Sequence, residues 1–203
     1  MTVISLTGGI ASGKSFASAY LGEKGAYLID ADKLGHLAYE PDTQAFTEVV
    51  AAFGDDVVGA DGQIDRKVLG GKVFAEEGAL TRLTDIVWPE IRRLAEAEIA
   101  KSLAASPDQA VVLEAAVLFE AGWDDIGDEV WVITVDPGTA ITRATARDGV
   151  DREAIQQRID AQLSNEERAS RATVVIANDG TQDELKSALD SAWTRSFAGR
   201  GAR

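Results

Sequence analysis

The chain has 203 residues, 45% hydrophobic and 27% charged, which is enough apolar material for one compact domain carrying an inserted or lid subdomain. Its 34 acidic residues outnumber 20 basic ones, and the formal net charge of −14 disfavours nonspecific nucleic-acid binding, which calls for a basic face. The absence of cysteine excludes disulfides and thiolate metal sites, and no apolar run reaches the roughly 18 residues of a membrane span. The opening MTVISLTGG has no basic region leading into an apolar one, so no secretory signal is expected and the expected setting is cytoplasmic.

Val3 to Thr7 is apolar and ends in glycines, which predicts a buried strand. A helix from Lys14 to about Gly22 and a strand from Ala26 to Ile29 complete a β-loop-α-β unit of the kind that builds parallel sheets. From Asp32 to about Ser106 the pattern is helical. Thr43 caps a helix to Phe53, Gly54 stops it, and the turn Ala60 to Asp65 ends in a residue that caps the next helix. Leu80 to Val87 reads as a helix that ends at Trp88-Pro89, and Pro89 as the first turn of a separate long helix. Ala110 to Leu113 and Glu129 to Val135 are predicted strands, the second broken by Asp136-Pro137-Gly138. Ala140 to about Asp148 is a short helix, Asp151 and Ser164 cap two more, Thr173 to Ala177 is the last strand, and Thr181 to about Ala198 a final helix. The closing GRGAR reads as a loose tail.

The segment GGIASGKS meets the pattern G-x-x-x-x-G-K-[ST] at Gly8, Gly13, Lys14 and Ser15, directly after a strand and directly before a helix. Glycines let the backbone wrap a phosphate, since a Cβ would block the approach and some positions need positive φ. Exposed N–H groups and the helix N-terminus then face the anion. The expected nucleotide contacts are Gly9, Ile10, Ala11, Ser12, Gly13, Lys14, Ser15 and Phe16, with Lys14 reaching the β and γ phosphates of ATP and the Ser15 hydroxyl holding Mg²⁺. GTPases, motor ATPases and small-metabolite kinases all carry such a loop. No N/T-K-x-D guanine reader is present, and the length favours a kinase.

Asp30 and Asp32 follow the second strand as IDAD, and parallel sheets gather ligands at strand C-terminal ends. Phosphoryl transfer to an alcohol needs positioned charge and a group that takes the hydroxyl proton. One aspartate suits that role; the other orients it or holds Mg²⁺ through water, with Asp30 the metal candidate. The alternative for either is a helix N-cap. Arg143 and Arg147, four apart, form a phosphate clamp or a solvated face paired with Asp148 or Asp151. Glu114 ends the third strand, where it holds a metal-bound water or a substrate group, or serves as a structural carboxylate. His36, the only histidine, lies one helical turn beyond Asp32, where it touches an acceptor or is simply a helix-surface or partly buried residue. Arg66 and Lys67 meet a substrate's pyrophosphate or are surface charge, and Trp88 and Trp123 are expected to pack rather than stack on ligand.

In their order and spacing, LTGGIASGKS, LIDADKLGH, FGDDVVGADGQIDRKVLGGKVF, VLEAAVLFEAGW, RATARDG, the pattern R-I-x-x-Q-x-S from Arg158 to Ser164, and ANDG at Ala177 to Gly180 resemble the dephospho-CoA kinases nearly end to end. Trp88-Pro89 and Ala116 to Glu120 depart from the His-Pro and Pro-Leu-Leu-Phe-Glu common in bacterial members and are similar to the kinase domain of the eukaryotic bifunctional CoA synthase. Phe16 stands where Thr is common. The resemblance implies transfer of the ATP γ-phosphoryl to the ribose 3′-hydroxyl of dephospho-CoA, the last step of CoA biosynthesis, with Asp32 as the proton acceptor. It also implies a lid for the segment of Arg143 and Arg147 and sets Asn178 to Gly180 beside the adenine, with a plain turn as the alternative; the residues expected at the acceptor are Asp32, His36, Arg66, Glu114 and Leu118.

The expected fold is α/β: a P-loop nucleotide-kinase-like parallel sheet of about five strands, with its core at about 1–32, 107–137 and 171–203, an inserted helical acceptor-binding subdomain at about 33–106 and a helical lid at about 138–170. The expected partners are ATP, dephospho-CoA and Mg²⁺, with no nucleic acid and no membrane, for a monomer or weak homo-oligomer. Another small-metabolite, nucleoside or nucleotide kinase of this class, or a protein that binds nucleotide without turnover, are the alternatives.

Overall fold

The computed structural model describes residues 2–198, so the tail expected at 199–203 lies outside the described residues. Five strands, β1 (Val3–Gly8), β2 (Tyr27–Asp30), β3 (Val111–Glu114), β4 (Glu129–Thr134) and β5 (Val174–Ala177), form one parallel sheet in the order β2-β3-β1-β4-β5. β1 pairs in parallel with β3 and β4, and β4 with β5. Parallel strands covered by helices on both faces read as unbroken apolar runs, and β1 is buried along its whole length. The register sets Leu6 opposite Glu114, Gly8 opposite Ile133 and Thr134 opposite Ala177, so these strand ends share one edge. That is the edge at which such sheets bind ligands.

Two units divide the chain, one comprising the residues up to Ile29 and those from Lys101 onward, the other Asp30–Ala100. In the sheet unit, Ile4, Leu6, Trp131 and Ile133 pack with Ala17 and Leu21 of α1 (Lys14–Glu23) and with Leu185 and Leu189 of α9 (Gln182–Phe197). Trp131 is fully enclosed, and its indole N–H donates to Glu129 Oε2 at 2.8 Å, which satisfies the one polar atom of a large apolar side chain. Asp136 accepts from the Thr139 N–H and starts α6 (Pro137–Asp148), where Pro137 occupies a first-turn position that needs no donor. α7 (Arg152–Asp160) follows, and Ser164 and Glu167 form a reciprocal capping box on α8 (Asn165–Ser170).

The helical unit holds α2 (Ala31–Leu37), α3 (Gln44–Phe53), a 3₁₀ turn at Asp55–Val57, α4 (Arg66–Ala75) and most of α5 (Ala79–Ala105). Thr43 caps α3 and Asp65 caps α4, as the sequence predicts. The predicted break at Trp88-Pro89 is corrected: α5 runs through Pro89 as a single helix. A proline inside a helix costs about 3 kcal/mol, because one donor is lost and the ring crowds the preceding turn. Val87, Ile91, Ala95 and Ile99 lie four apart, form one buried stripe and continue it across the proline. Each of the larger ones contributes about 1.5–3 kcal/mol by burial, so the stripe outweighs the local defect.

Candidate active site

The segment from Gly8 to Lys14 carries the buried strand β1 into α1, and its conformation is fixed from several sides. Gly13 has φ 96, in the left-handed region, and a Cβ there would lie 2.4 Å from Asn178 Nδ2, so only glycine fits. Ala11 also takes a left-handed φ of 52, a conformation that non-glycine residues keep only where their surroundings over-determine it. Two side chains from distant elements supply that constraint. Asn178, just after β5, donates to the Ser12 carbonyl at 2.8 Å. Gln162, between α7 and α8, accepts from the Ile10 N–H at 3.0 Å. Gly13 precedes α1 as its N-cap without any side-chain cap, which leaves the donors of the first helical turn available to an outside anion.

Lys14 directs its ammonium back across the loop, with Nζ 2.8 Å from the Gly8 carbonyl and 3.2 Å from that of Gly9. The Ser15 hydroxyl donates to Glu114 Oε1 at 3.1 Å, so the end of β3 and the first turn of α1 meet as two hard oxygen donors. Mg²⁺ is held through one or two carboxylates together with phosphate oxygens and water, and this donor set suits it. Among the described residues no group of three His, Cys, Asp or Glu side chains converges as a metal cage.

Loop residues Ala11 to Phe16 line a cavity of about 280 Å³ with Arg143 and Arg147 of α6. The two arginines differ in what they hold. Arg143 grips the segment after β5, donating to the Asn178 carbonyl at 2.7 Å and the Gly180 carbonyl at 3.0 Å. Arg147 forms a fork with its neighbour Asp148, at 2.6 and 2.9 Å. That guanidinium lowers the Asp148 carboxyl below the usual carboxylate range, and the carboxylate raises the arginine in turn. Arg143, Asn178 and Gly180 are thus joined to one another, a link that their sequence positions do not disclose.

In the helical unit, Asp30 caps α2: Oδ1 accepts from the Lys33 N–H at 3.1 Å and Oδ2 pairs with Lys33 Nζ at 3.1 Å. The carboxylate expected as a metal candidate is therefore engaged as a helix cap. Asp32 lies in the first turn of α2 and His36 in the last, both exposed. Arg66 opens α4 with its guanidinium 6.0 Å above the Tyr39 ring. Leu118, expected at the acceptor, is fully enclosed among the buried residues of the core. Trp123 is likewise buried, as expected of a packing residue. Gln162 and Arg168 carry no site signal of their own in the sequence. Only the R-I-x-x-Q-x-S pattern touched the first, and nothing local signals a bond to a residue 152 positions away.

Comparison with known proteins bears on this arrangement. A family model described as dephospho-CoA kinase matches residues 2–184. A protein named dephospho-CoA kinase from Geobacter sulfurreducens is 47% identical over 197 residues, covering 97% of this chain and 100% of that protein. Among solved structures, one from Thermus thermophilus matches with a TM-score of 0.76 and 32% identity over 95% of this chain and 96% of that one. The dephospho-CoA kinase from Campylobacter jejuni matches with a TM-score of 0.72 and 25% identity over 97% and 98%.

Proposed function

We propose, for a chain that belongs to the dephospho-CoA kinase family, a transfer of the ATP γ-phosphoryl to the ribose 3′-hydroxyl of dephospho-CoA in which the residues described above hold named roles. The chain is a phosphotransferase with an alcohol acceptor, and its product is CoA. The observation that carries the nucleotide half is the loop itself, uncapped at α1 and drawn around Lys14. The loop N–H groups and Lys14 bind the phosphates of ATP, and Phe16, Arg143, Arg147, Asn178 and Gly180 border the same nucleotide. Ser15, with Glu114 behind it, holds Mg²⁺, which when bound offsets charge on the phosphate oxygens. Asp32 accepts the proton of the 3′-hydroxyl, that oxygen bonds to the γ-phosphorus, and ADP leaves with the bridging oxygen. His36 and Arg66 orient the acceptor.

We further place this enzyme in the cytoplasm, where ATP and Mg²⁺ are both supplied, acting as a monomer or weak homo-oligomer on small molecules. No helix among the described residues is long and apolar enough to cross a membrane. The test is ADP release by the pure protein with Mg·ATP and, separately, dephospho-CoA, adenosine and AMP. Release that depends on dephospho-CoA alone is expected. Turnover of adenosine or AMP instead would assign another acceptor, and nucleotide binding without any turnover would leave only a binding protein.

A further inference from the structure

Arg168 of α8 is 3% exposed, a cation enclosed behind the phosphate loop. It donates through Nη1 to the Leu163 carbonyl, and its Nη2 lies 3.5 Å from Gln162 Oε1. Its Nε is buried and has no hydrogen-bond partner among the described residues. Glu120 and Glu167 act on it through space, but neither forms an ion pair with it among the described residues. Burial pushes its guanidinium below the usual arginine range, and the charges of Glu120 and Glu167 pull it partway back. A buried charge left unpaired is costly and is ordinarily neutralised by a partner.

The missing partner has a direction. A Cβ on Gly9 would lie 3.3 Å from Arg168 Nη1 and 3.5 Å from Gln162 Oε1, so the guanidinium and the amide press against the loop backbone at Gly9. Gln162 Oε1 also takes the Ile10 N–H, which links Arg168 to the loop through one shared oxygen. Lys14 marks which end of the loop this is. Its Nζ sits at the Gly8 and Gly9 carbonyls, and a lysine in this motif reaches the β and γ phosphates. The opposite end, at Ser15, opens the first turn of α1, which no side chain caps.

We propose that Arg168 and Gln162 are positioning residues for the γ-phosphoryl group: the buried cation and the amide set the Gly9–Ile10 backbone, and the arriving γ-phosphate adds counter-charge on the loop side of an Arg168 that no carboxylate pairs directly. Neither side chain touches the phosphate; both act through the loop. This inference rests on the nucleotide half of the proposed function and not on the identity of the acceptor.

The test measures binding of Mg·ATP and Mg·ADP by calorimetry without acceptor, alongside thermal stability. In Arg168→Met, ATP affinity is expected to fall about tenfold or more while ADP affinity stays within about threefold. Gln162→Glu keeps an acceptor for the Ile10 N–H and gives Arg168 a carboxylate partner. Its fold is expected to hold, and its preference for ATP over ADP to shrink in the same direction. If Arg168→Met fails to fold, Gln162→Glu decides. Equal losses for ATP and ADP, or a Gln162→Glu variant with its ATP preference intact, would overturn the proposal. Wild-type protein that binds neither nucleotide would instead sink the nucleotide reading. Wild-type protein that binds ATP but does not phosphorylate dephospho-CoA would sink only the acceptor reading.

Discussion

Two strand-to-helix junctions leave this sheet in opposite ways. After β1 the chain runs through a glycine loop into α1, whose N-cap is Gly13 and has no side-chain cap. After β2 there is no loop, and Asp30 closes the N-terminus of α2 with its own carboxylate. Both helices begin with unsatisfied backbone donors, since every α-helix does. In α2 the Asp30 carboxylate takes one of them, the Lys33 N–H, whereas in α1 no side-chain cap takes any. The first junction leaves its backbone donors uncapped, and the second presents two exposed side chains, Asp32 and His36, on a helix capped by Asp30. In the proposed reaction the first end takes the phosphates of ATP and the second carries the proposed base, Asp32.

The sharpest way to test that division is Asp32→Asn. Removing a general base costs about 10²–10⁴ in rate, so kcat should fall by that factor while ATP affinity, measured by calorimetry, stays put. Gly13→Ala attacks the other junction. It places a methyl against the Asn178 amide at a left-handed φ, and strain of this kind costs on the order of 1–3 kcal/mol, so ATP affinity should fall roughly 5- to 150-fold. Arg143→Ala should weaken ATP binding about tenfold, because it releases the Asn178 and Gly180 carbonyls as well as a cation. Arg147→Ala, whose partner is an exposed neighbour, should have the smaller effect on ATP affinity. Asp30→Ala removes the cap of α2 and should cost about 0.5–2 kcal/mol in denaturant unfolding with ATP affinity unchanged. The smallest effect is one of pH. The Asp148 carboxyl is lowered in the folded chain by Arg147, so its contribution is complete above about pH 4 and is lost as pH falls through the folded value. Urea midpoints between pH 5 and pH 2 should show that acid-limb loss in wild type and less of it in Arg147→Ala.

The phosphate loop was legible because its signal is local: Gly8, Gly13, Lys14 and Ser15 sit in one short run between a strand and a helix. The caps at Thr43, Asp65, Asp136, Ser164 and Thr181 were legible for the same reason, since a cap and its helix are sequence neighbours. What sequence could not supply lies between distant residues. Gln162 reaches Ile10, Asn178 reaches Ser12, and Arg143 joins the segment after β5, none of which leaves a periodic trace. Pro89 shows the converse failure. A strong local signal for a helix boundary loses to the buried stripe from Val87 to Ile99, which only tertiary packing makes decisive.

The measurement that bears most directly on the whole account is the position of the phosphate in the product. Dephospho-CoA incubated with Mg·ATP and the pure protein should yield one equivalent of ADP and a product whose phosphorus spectrum shows a single new monoester coupled to the ribose 3′ carbon. A phosphate at any other position, or no ADP that depends on dephospho-CoA, would contradict it.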